Sequence, residues 1–209
     1  IFWALFEQAA GSMTLYADRV TDKALFGVSL TAAQFGAAYS FFIFSLAPVF
    51  ALRWTRLGKR GLEPSTPVKF SLGIAQAGLG FGALVYGAQF PNEAGVVSAW
   101  WLICAYLLHT TGELCLSPVG LSAVTKLAVP SVVGVMMGTW FLASAYSSYV
   151  AAQIATIAAR PASTTLTDSA NALAGYTELF SQLLVIGLTG GAVLLVLSPL
   201  LKKLMHGVR

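Results

Sequence analysis

Long apolar stretches separated by short polar connectors run through the whole chain. Each stretch is roughly 20 residues long, and a helix of that length crosses about 30 Å of hydrocarbon. The pattern shows none of the short alternating segments that build an outer-membrane barrel. We therefore predict an all-α membrane protein with six transmembrane helices, over residues 1–17, 29–52, 68–90, 97–120, 132–158 and 174–201.

The composition agrees with this interpretation. Hydrophobic residues make up 57% of the 209 residues and charged residues only 10%, whereas a soluble domain carries about 25% charged residues. The net charge is +4, but the cations lie in the connectors and form no basic cluster, so nucleic-acid binding is not expected. Cys104 and Cys115 lie in apolar stretches without metal-ligand spacing, and we interpret them as apolar fillers.

The lysines and arginines predict the orientation in the membrane, because the side with the excess stays cytoplasmic. One side carries nine of these residues and the other carries three. The larger set is Arg53, Arg56, Lys59, Arg60, Lys69, Lys126, Lys202, Lys203 and Arg209, and the smaller set is Arg19, Lys23 and Arg160. We predict a cytoplasmic (inner) membrane protein in which the 53–69 connector and the C-terminus are cytoplasmic.

Glu113 is an ionisable residue inside the fourth apolar stretch, where an exposed charge costs roughly 2.5–3.5 kcal/mol. His109, Glu113 and Ser117 follow one another at intervals of four residues, so they share one helix face. We predict that this polar stripe faces a cavity and not lipid. His109 is interpreted as a structural or gating residue.

Glu7 is a second carboxylate within an apolar stretch, on the helix face that also carries Trp3 and Gly11. The chain begins inside this stretch without an initiator methionine or a signal peptide, so we expect it to be part of a longer polypeptide with Glu7 at membrane depth. Isolated carboxylates in desolvating surroundings can exchange protons near neutral pH, as a proton-coupled carrier requires.

Other polar and small residues in the apolar stretches have simpler interpretations. Trp140, Ser144, Ser147 and Ser148 share a helix face, which is either a packing surface or the lining of a cavity. Tyr39 is interpreted as an interhelical hydrogen-bonding residue. The glycines and alanines of the third and sixth stretches predict close helix contacts, and they include Gly73, Ala77, Gly78, Gly82, Gly187, Gly190 and Gly191.

Four motifs together resemble the proton-coupled oligopeptide transporter family, which belongs to the major facilitator superfamily. They are Phe2-Trp3-Ala-Leu-Phe6-Glu7-Gln8, Ala47-Pro48-Val-Phe50-Ala51, Gly112-Glu113-Leu-Cys-Leu-Ser117-Pro118-Val-Gly120 and Met137-Gly138-Thr-Trp140-Phe141-Leu142. The resemblance covers essentially the whole chain but only the C-terminal six-helix bundle of such a transporter. The N-terminal bundle is absent from this sequence.

The resemblance implies proton-coupled symport of di- and tripeptides by alternating access, with protons as the coupling ion and no other cofactor. Glu113 would bind the peptide's amino terminus, and Glu7 would take part in proton coupling. Trp3 and Phe6 would line a side-chain pocket, and Ser117, Trp140 and Phe141 would flank the site. The implied partners are the peptide, protons, the bilayer and the N-terminal six-helix bundle.

Two positions depart from the family pattern. Tyr39-Ser40 stands where members commonly carry Asn-Pro, and Ser147-Ser148 stands where they carry Gly-Asn. Tyr39 is therefore a candidate substrate-binding residue. It replaces an asparagine whose amide contacts the peptide backbone in other members of the family, so this contact is altered here. The alternatives are a carrier of the same fold for nitrate, amino acids or drug-like solutes, or a receptor or assembly module that does not transport. An enzyme is not expected, because no nucleophile–base pair is visible.

Overall fold

The computed structural model describes residues 1–25, 27–158 and 166–205. Within these ranges the chain forms seven α-helices: α1 (Phe2–Phe6), α2 (Ser12–Arg19), α3 (Gly36–Lys59), α4 (Thr66–Gly87), α5 (Ala99–Leu127), α6 (Val133–Ala158) and α7 (Leu166–Leu204). The predicted all-α architecture is confirmed. Arg160 and Arg209, which entered the charge count above, lie outside the described residues.

Four helical segments in the described part of the chain are long and apolar enough to cross a bilayer. They are Ala32–Lys59, Thr66–Gly87, Ala99–Leu127 and Ser169–Leu204. Since each contains an apolar window with at most two charged residues, the chain is that of a membrane protein.

The first segment is interrupted, whereas one continuous span was predicted over residues 1–17. A 3₁₀ turn, Glu7–Ala9, follows α1, and Gly11 then leaves the helical conformation with φ −101° and ψ −105° before α2 begins. The side-chain amide of the buried Gln8 forms hydrogen bonds on both sides of the break. Its Nε2 donates to the carbonyl of Ala151 on α6 at 3.0 Å, and its Oε1 accepts from the Ser12 hydroxyl at 2.7 Å.

The helices also differ from the apolar stretches at their ends. A 3₁₀ turn, Ala32–Phe35, precedes α3, and α3 continues through the basic stretch after residue 52. Arginine and lysine are good helix formers, so a helix can extend past its apolar part into the interfacial region. Helix α5 likewise ends at Leu127, beyond the stretch predicted to end at residue 120.

Helix α4 lies at the centre and packs along α5 on one side and α7 on the other. Glycines permit both contacts. A Cβ atom on Gly73 would lie 2.8 Å from the carbonyl oxygen of Gly112 on α5, and a Cβ atom on Gly78 would lie 2.9 Å from the Cα atom of Gly187 on α7. The predicted role of the small residues in close helix contact is confirmed at these crossings.

Buried aromatic residues fill the region where α2, α4 and α7 meet. The Tyr16 and Phe180 rings lie edge to face, with centroids 5.4 Å apart, and Phe81 packs 5.5 Å from Phe180. Short strands lie near the same end of the bundle: β1 (Thr21–Asp22) pairs in parallel with β4 (Val97–Ser98), and β2 (Ala24–Leu25) pairs antiparallel with β3 (Val28–Ser29). The rings of Tyr16, Phe81 and Phe180 therefore form a buried aromatic core where α2, α4 and α7 meet.

Candidate functional site

Glu113 lies on α5 and is half-buried beneath α3. Its Oε2 atom accepts a hydrogen bond of 2.5 Å from the phenolic hydroxyl of Tyr39 on α3. The side chain predicted to be an interhelical hydrogen-bonding residue therefore holds the principal candidate carboxylate.

A cavity of about 590 Å³ opens between α3 and α5, and Glu113 is part of its wall. Ser117, one turn further along α5, lines the same cavity. Apolar residues of α3, among them Ile43, Ala47 and Phe50, form much of the opposite wall. The polar stripe of α5 thus faces a cavity at Glu113 and Ser117, as its spacing predicts.

His109, the third member of that stripe, is fully buried and has a packing role. Its Nε2 atom lies 2.9 Å from the carbonyl oxygen of Ala77 on α4. Because a carbonyl only accepts hydrogen bonds, Nε2 carries the proton and Nδ1 is left as a bare acceptor. Nδ1 has no hydrogen-bond partner within the described part of the chain. The geometry supports the structural interpretation of His109.

Aromatic residues of α1 lie beside Tyr39. The Phe6 ring packs edge to face against the Tyr39 ring, with centroids 5.4 Å apart, and lies 6.4 Å from the His109 ring. Trp3 in turn packs edge to face on Phe6 at 5.6 Å. Trp3, Phe6, Tyr39 and Glu113 therefore form one continuous cluster across α1, α3 and α5.

Glu7 follows Phe6 directly in the chain but is not part of the Glu113 cavity wall. It lines a separate cavity of about 410 Å³ between the interrupted first segment and α6, together with Gly11, Ser148 and Ala151. The position of Glu7 follows from the break after α1, because the carboxylate belongs to the 3₁₀ turn and not to a continuous helix. The two candidate carboxylates thus face different cavities.

Trp140 and Phe141 on α6 are not brought to the Glu113 cavity. The Trp140 indole covers Gly120 of α5, where an added Cβ atom would lie 2.2 Å from the ring, and it lines a third, largely apolar cavity of about 590 Å³. The Phe141 side chain is 58% exposed. In this conformation neither residue flanks Glu113.

A charged cluster that sequence reasoning missed lies elsewhere along the Glu113 cavity. Lys69 on α4 is only 3% exposed, forms an ion pair with Glu63 of the α3–α4 connector, and has its Nζ atom 4.8 Å from the ring centroid of Trp54 on α3. All three residues line the cavity. The available signal was a lysine in the first turn of a helix, where the macrodipole disfavours a cation unless a partner is present.

Comparison with known proteins agrees with these features. A family model described as the POT family matches residues 1–175. YclF, an uncharacterised transporter of Bacillus subtilis, is 40% identical over 208 residues, which are 100% of this chain and 39% of YclF. Dipeptide and tripeptide permease B of Aliivibrio fischeri is 32% identical over 206 residues, which are 98% of this chain and 41% of the permease.

The fold is similar to that of solved transporters. A crystal structure of a mutant of peptide transporter POT in complex with alafosfalin superposes with a TM-score of 0.82 at 36% identity, over 99% of this chain and 39% of that chain. This chain therefore spans about two fifths of the length of the relatives it matches. The family model, the sequence identity and the fold agree, and the chain belongs to the POT family.

Proposed function

We propose that this chain is the C-terminal six-helix half of a transporter that imports di- and tripeptides together with protons by alternating access. Membership of the POT family supports the proposal, as does similarity to a permease named for dipeptides and tripeptides. The chain covers 39% to 41% of the length of these two relatives, which leaves room in each for a second bundle of at least similar size.

The observation that carries the proposal is the half-buried carboxylate of Glu113 in the wall of a 590 Å³ cavity. A peptide's amino terminus is an ammonium group, and a carboxylate in partly dry surroundings binds it through charge-assisted hydrogen bonds. The attraction is stronger there than in bulk water because the effective dielectric constant is lower. We assign Glu113 to the peptide's amino terminus.

The aromatic cluster beside Glu113 suits a carrier of many peptides. Trp3, Phe6 and Tyr39 present ring surfaces that make apolar contact without requiring one side-chain shape. Ser117 adds a hydroxyl group to the cavity wall one turn from Glu113. Trp140 and Phe141 belong to the same proposed site through the resemblance, and α6 would have to shift for them to reach a bound peptide.

Proton coupling is assigned to Glu7 and Glu113 together. Glu113 would lose its net charge to the peptide's ammonium group, and Glu7 would lose its charge to a proton. Moving an uncompensated carboxylate through apolar surroundings is costly. The bundle therefore rearranges most readily when the ammonium group neutralises Glu113 and a proton neutralises Glu7. Because the first helix is interrupted at Glu7, the carboxylate lies in the cavity between this turn and α6. A movement of α6 relative to the turn would change the surroundings of the carboxylate.

The N-terminal six-helix bundle is the proposed partner of this chain. Every residue of α3 is described and none of them is buried, and large apolar side chains of α6 such as Val135, Leu142 and Tyr146 are exposed. A second bundle would close the cavity that α3 and α5 line here. In the proposed orientation, the 53–69 connector lies in the cytoplasm of a cell with this transporter in its inner membrane.

The test is uptake of labelled dialanine by proteoliposomes containing the full-length transporter, with and without an inward proton gradient. We expect accumulation above the external concentration only with the gradient. Glu113→Gln should abolish this accumulation, because the neutral amide cannot compensate the ammonium charge. The matched control is Glu178→Gln, which changes an exposed glutamate of α7 and should leave uptake unchanged.

Unaltered gradient-driven uptake by Glu113→Gln would contradict the assignment of the carboxylate. Uptake of nitrate, amino acids or drug-like solutes that dialanine does not inhibit would favour the alternative carrier. Binding of dialanine without accumulation in either condition would favour a receptor.

A further inference from the structure

Helix α3 is attached to the rest of the bundle in an unusual way. All of its residues are described, none is buried, and it packs mainly along α5. Ala38 and Phe42 pack against the core as partly buried residues. Polar contacts add an attachment at each of two levels: Tyr39 bonds to Glu113 of α5, and Trp54 packs on Lys69 of α4. The two attachment points are 15 residues apart, or about 22 Å along the helix axis.

The attachment at Tyr39 uses the group that the proposed function gives to the substrate. The phenol donates a 2.5 Å hydrogen bond to Glu113 Oε2. An ammonium group bound at the same carboxylate would also donate to its oxygens. The Phe6 ring packs against the Tyr39 ring, so the phenol is held in place at the carboxylate. Tyr39 is thus positioned to compete with a peptide's amino group.

The attachment at Trp54 has a different character. Lys69 is almost completely buried, and its ammonium group is shared between the Glu63 carboxylate and the Trp54 ring. Separating Lys69 from Glu63 would leave a buried ammonium group without its counter-charge, so this cluster is costly to open. Glu63 belongs to the α3–α4 connector and Lys69 to the first turn of α4. The cluster therefore holds the end of α3 that is joined to α4.

We propose that Tyr39 is an internal competitor for Glu113, and that a peptide's amino group displaces it and frees the Tyr39 end of α3 to move about the Trp54–Lys69–Glu63 cluster. This inference rests on the proposed role of Glu113. In the unliganded transporter the Tyr39 hydroxyl occupies the position of the peptide's amino group at Glu113, and this competition weakens peptide binding. Occupancy of the carboxylate by a peptide is thereby coupled to the position of α3.

The first test is equilibrium binding to the full-length transporter. Tyr39→Phe removes the hydroxyl group and keeps the ring packed on Phe6. In the wild type, dialanine must break the Tyr39–Glu113 hydrogen bond before it binds, whereas Tyr39→Phe has no such bond to break. Dialanine should therefore bind roughly tenfold more tightly to Tyr39→Phe than to the wild type. N-acetyl-dialanine, which has no ammonium group, should bind equally to both. Tyr86→Phe, at an exposed tyrosine of α4, should leave both ligands unchanged.

Equal or weaker binding of dialanine by Tyr39→Phe would overturn the competition. So would an equal gain for dialanine and N-acetyl-dialanine, because the effect would then not concern the amino group. If the wild type binds no dialanine at all, the proposed function itself fails. A second measurement then decides the inference independently.

That measurement is the distance between α3 and α4 by pulsed electron paramagnetic resonance, in a background with Cys104→Ala and Cys115→Ala. One pair of spin labels, at Ala37→Cys and Leu79→Cys, reports the Tyr39 end of α3; the other, at Thr55→Cys and Leu72→Cys, reports the Trp54 end. All four positions are exposed.

Without any ligand, Tyr39→Phe should lengthen and broaden the distance distribution of the first pair and leave that of the second pair unchanged. An unchanged first pair, or an equal change in both pairs, would overturn the proposed movement of α3.

Discussion

The α4–α5–α7 frame and helix α3 differ in what holds them. In the frame, backbones approach so closely at Gly73–Gly112 and Gly78–Gly187 that even a methyl group would not fit. No residue of α3 is fully buried, and two polar attachments supplement the packing of its partly buried residues. The frame therefore keeps its geometry, whereas the position of α3 depends on charged groups. A carrier that responds to a charged ligand needs both.

The largest expected loss of stability comes from disrupting the Trp54–Lys69–Glu63 cluster. Glu63→Gln leaves the buried Lys69 ammonium group without its carboxylate, which should lower the free energy of unfolding by about 3 kcal/mol. Asp18→Asn is the matched control, because the Lys23–Asp18 pair is exposed and should be worth at most about 1 kcal/mol. Reversible unfolding of the full-length transporter in detergent measures both values, and equal losses would refute the special role of the buried pair.

The next effect tests the frame. Gly78→Ala places a Cβ atom 2.9 Å from the backbone of Gly187, so α4 and α7 must move apart at a cost of about 1–3 kcal/mol. The identical substitution at Gly138 of α6, where nothing lies within 4 Å of the added atom, should leave stability unchanged or slightly raised. The thermal unfolding midpoints of the two variants provide the comparison, and coinciding midpoints would mean that the crossing is not tight.

The smallest expected effect concerns a hydrogen bond within the frame. The buried Ser71 hydroxyl donates to the carbonyl of Gly191 at 2.7 Å and so joins α4 to α7. Because such bonds in membrane proteins average about 0.6 kcal/mol, Ser71→Ala should lower the free energy of unfolding by less than either change above. Ser147→Ala, which removes a bond within α6, is the control. A loss greater than that of Gly78→Ala would show that polar bonds, and not close packing, hold the frame.

Much of the frame could be predicted from the sequence. Apolar length predicts the long helices, and small residues such as Gly78 and Gly187 predict where they cross, because both signals are local in the chain. The face shared by Glu113 and Ser117 follows in the same way from helix geometry. The cavity between α3 and α5 contains both residues.

The sequence predicts that Tyr39 forms an interhelical hydrogen bond, but the partners of the α3 attachments could not be predicted, because each depends on which helices become neighbours. Tyr39 and Glu113 are 74 positions apart, and no periodicity relates them. The charge pattern places Lys69 among the cytoplasmic cations, whereas its contacts with Glu63 and Trp54 depend on how the α3–α4 connector and α3 pack against α4. The break after α1 was missed for the same reason, since the Gln8 amide is satisfied by Ala151 of a distant helix.

The most direct test of the central claim is a structure of the full-length transporter with dialanine bound. We predict that the peptide's ammonium group lies about 2.7–2.9 Å from a carboxylate oxygen of Glu113, as a charge-assisted bond requires, and that the Tyr39 hydroxyl no longer contacts that carboxylate. An ammonium group bound elsewhere, with the Tyr39–Glu113 bond intact, would contradict both the site and the competition proposed for it.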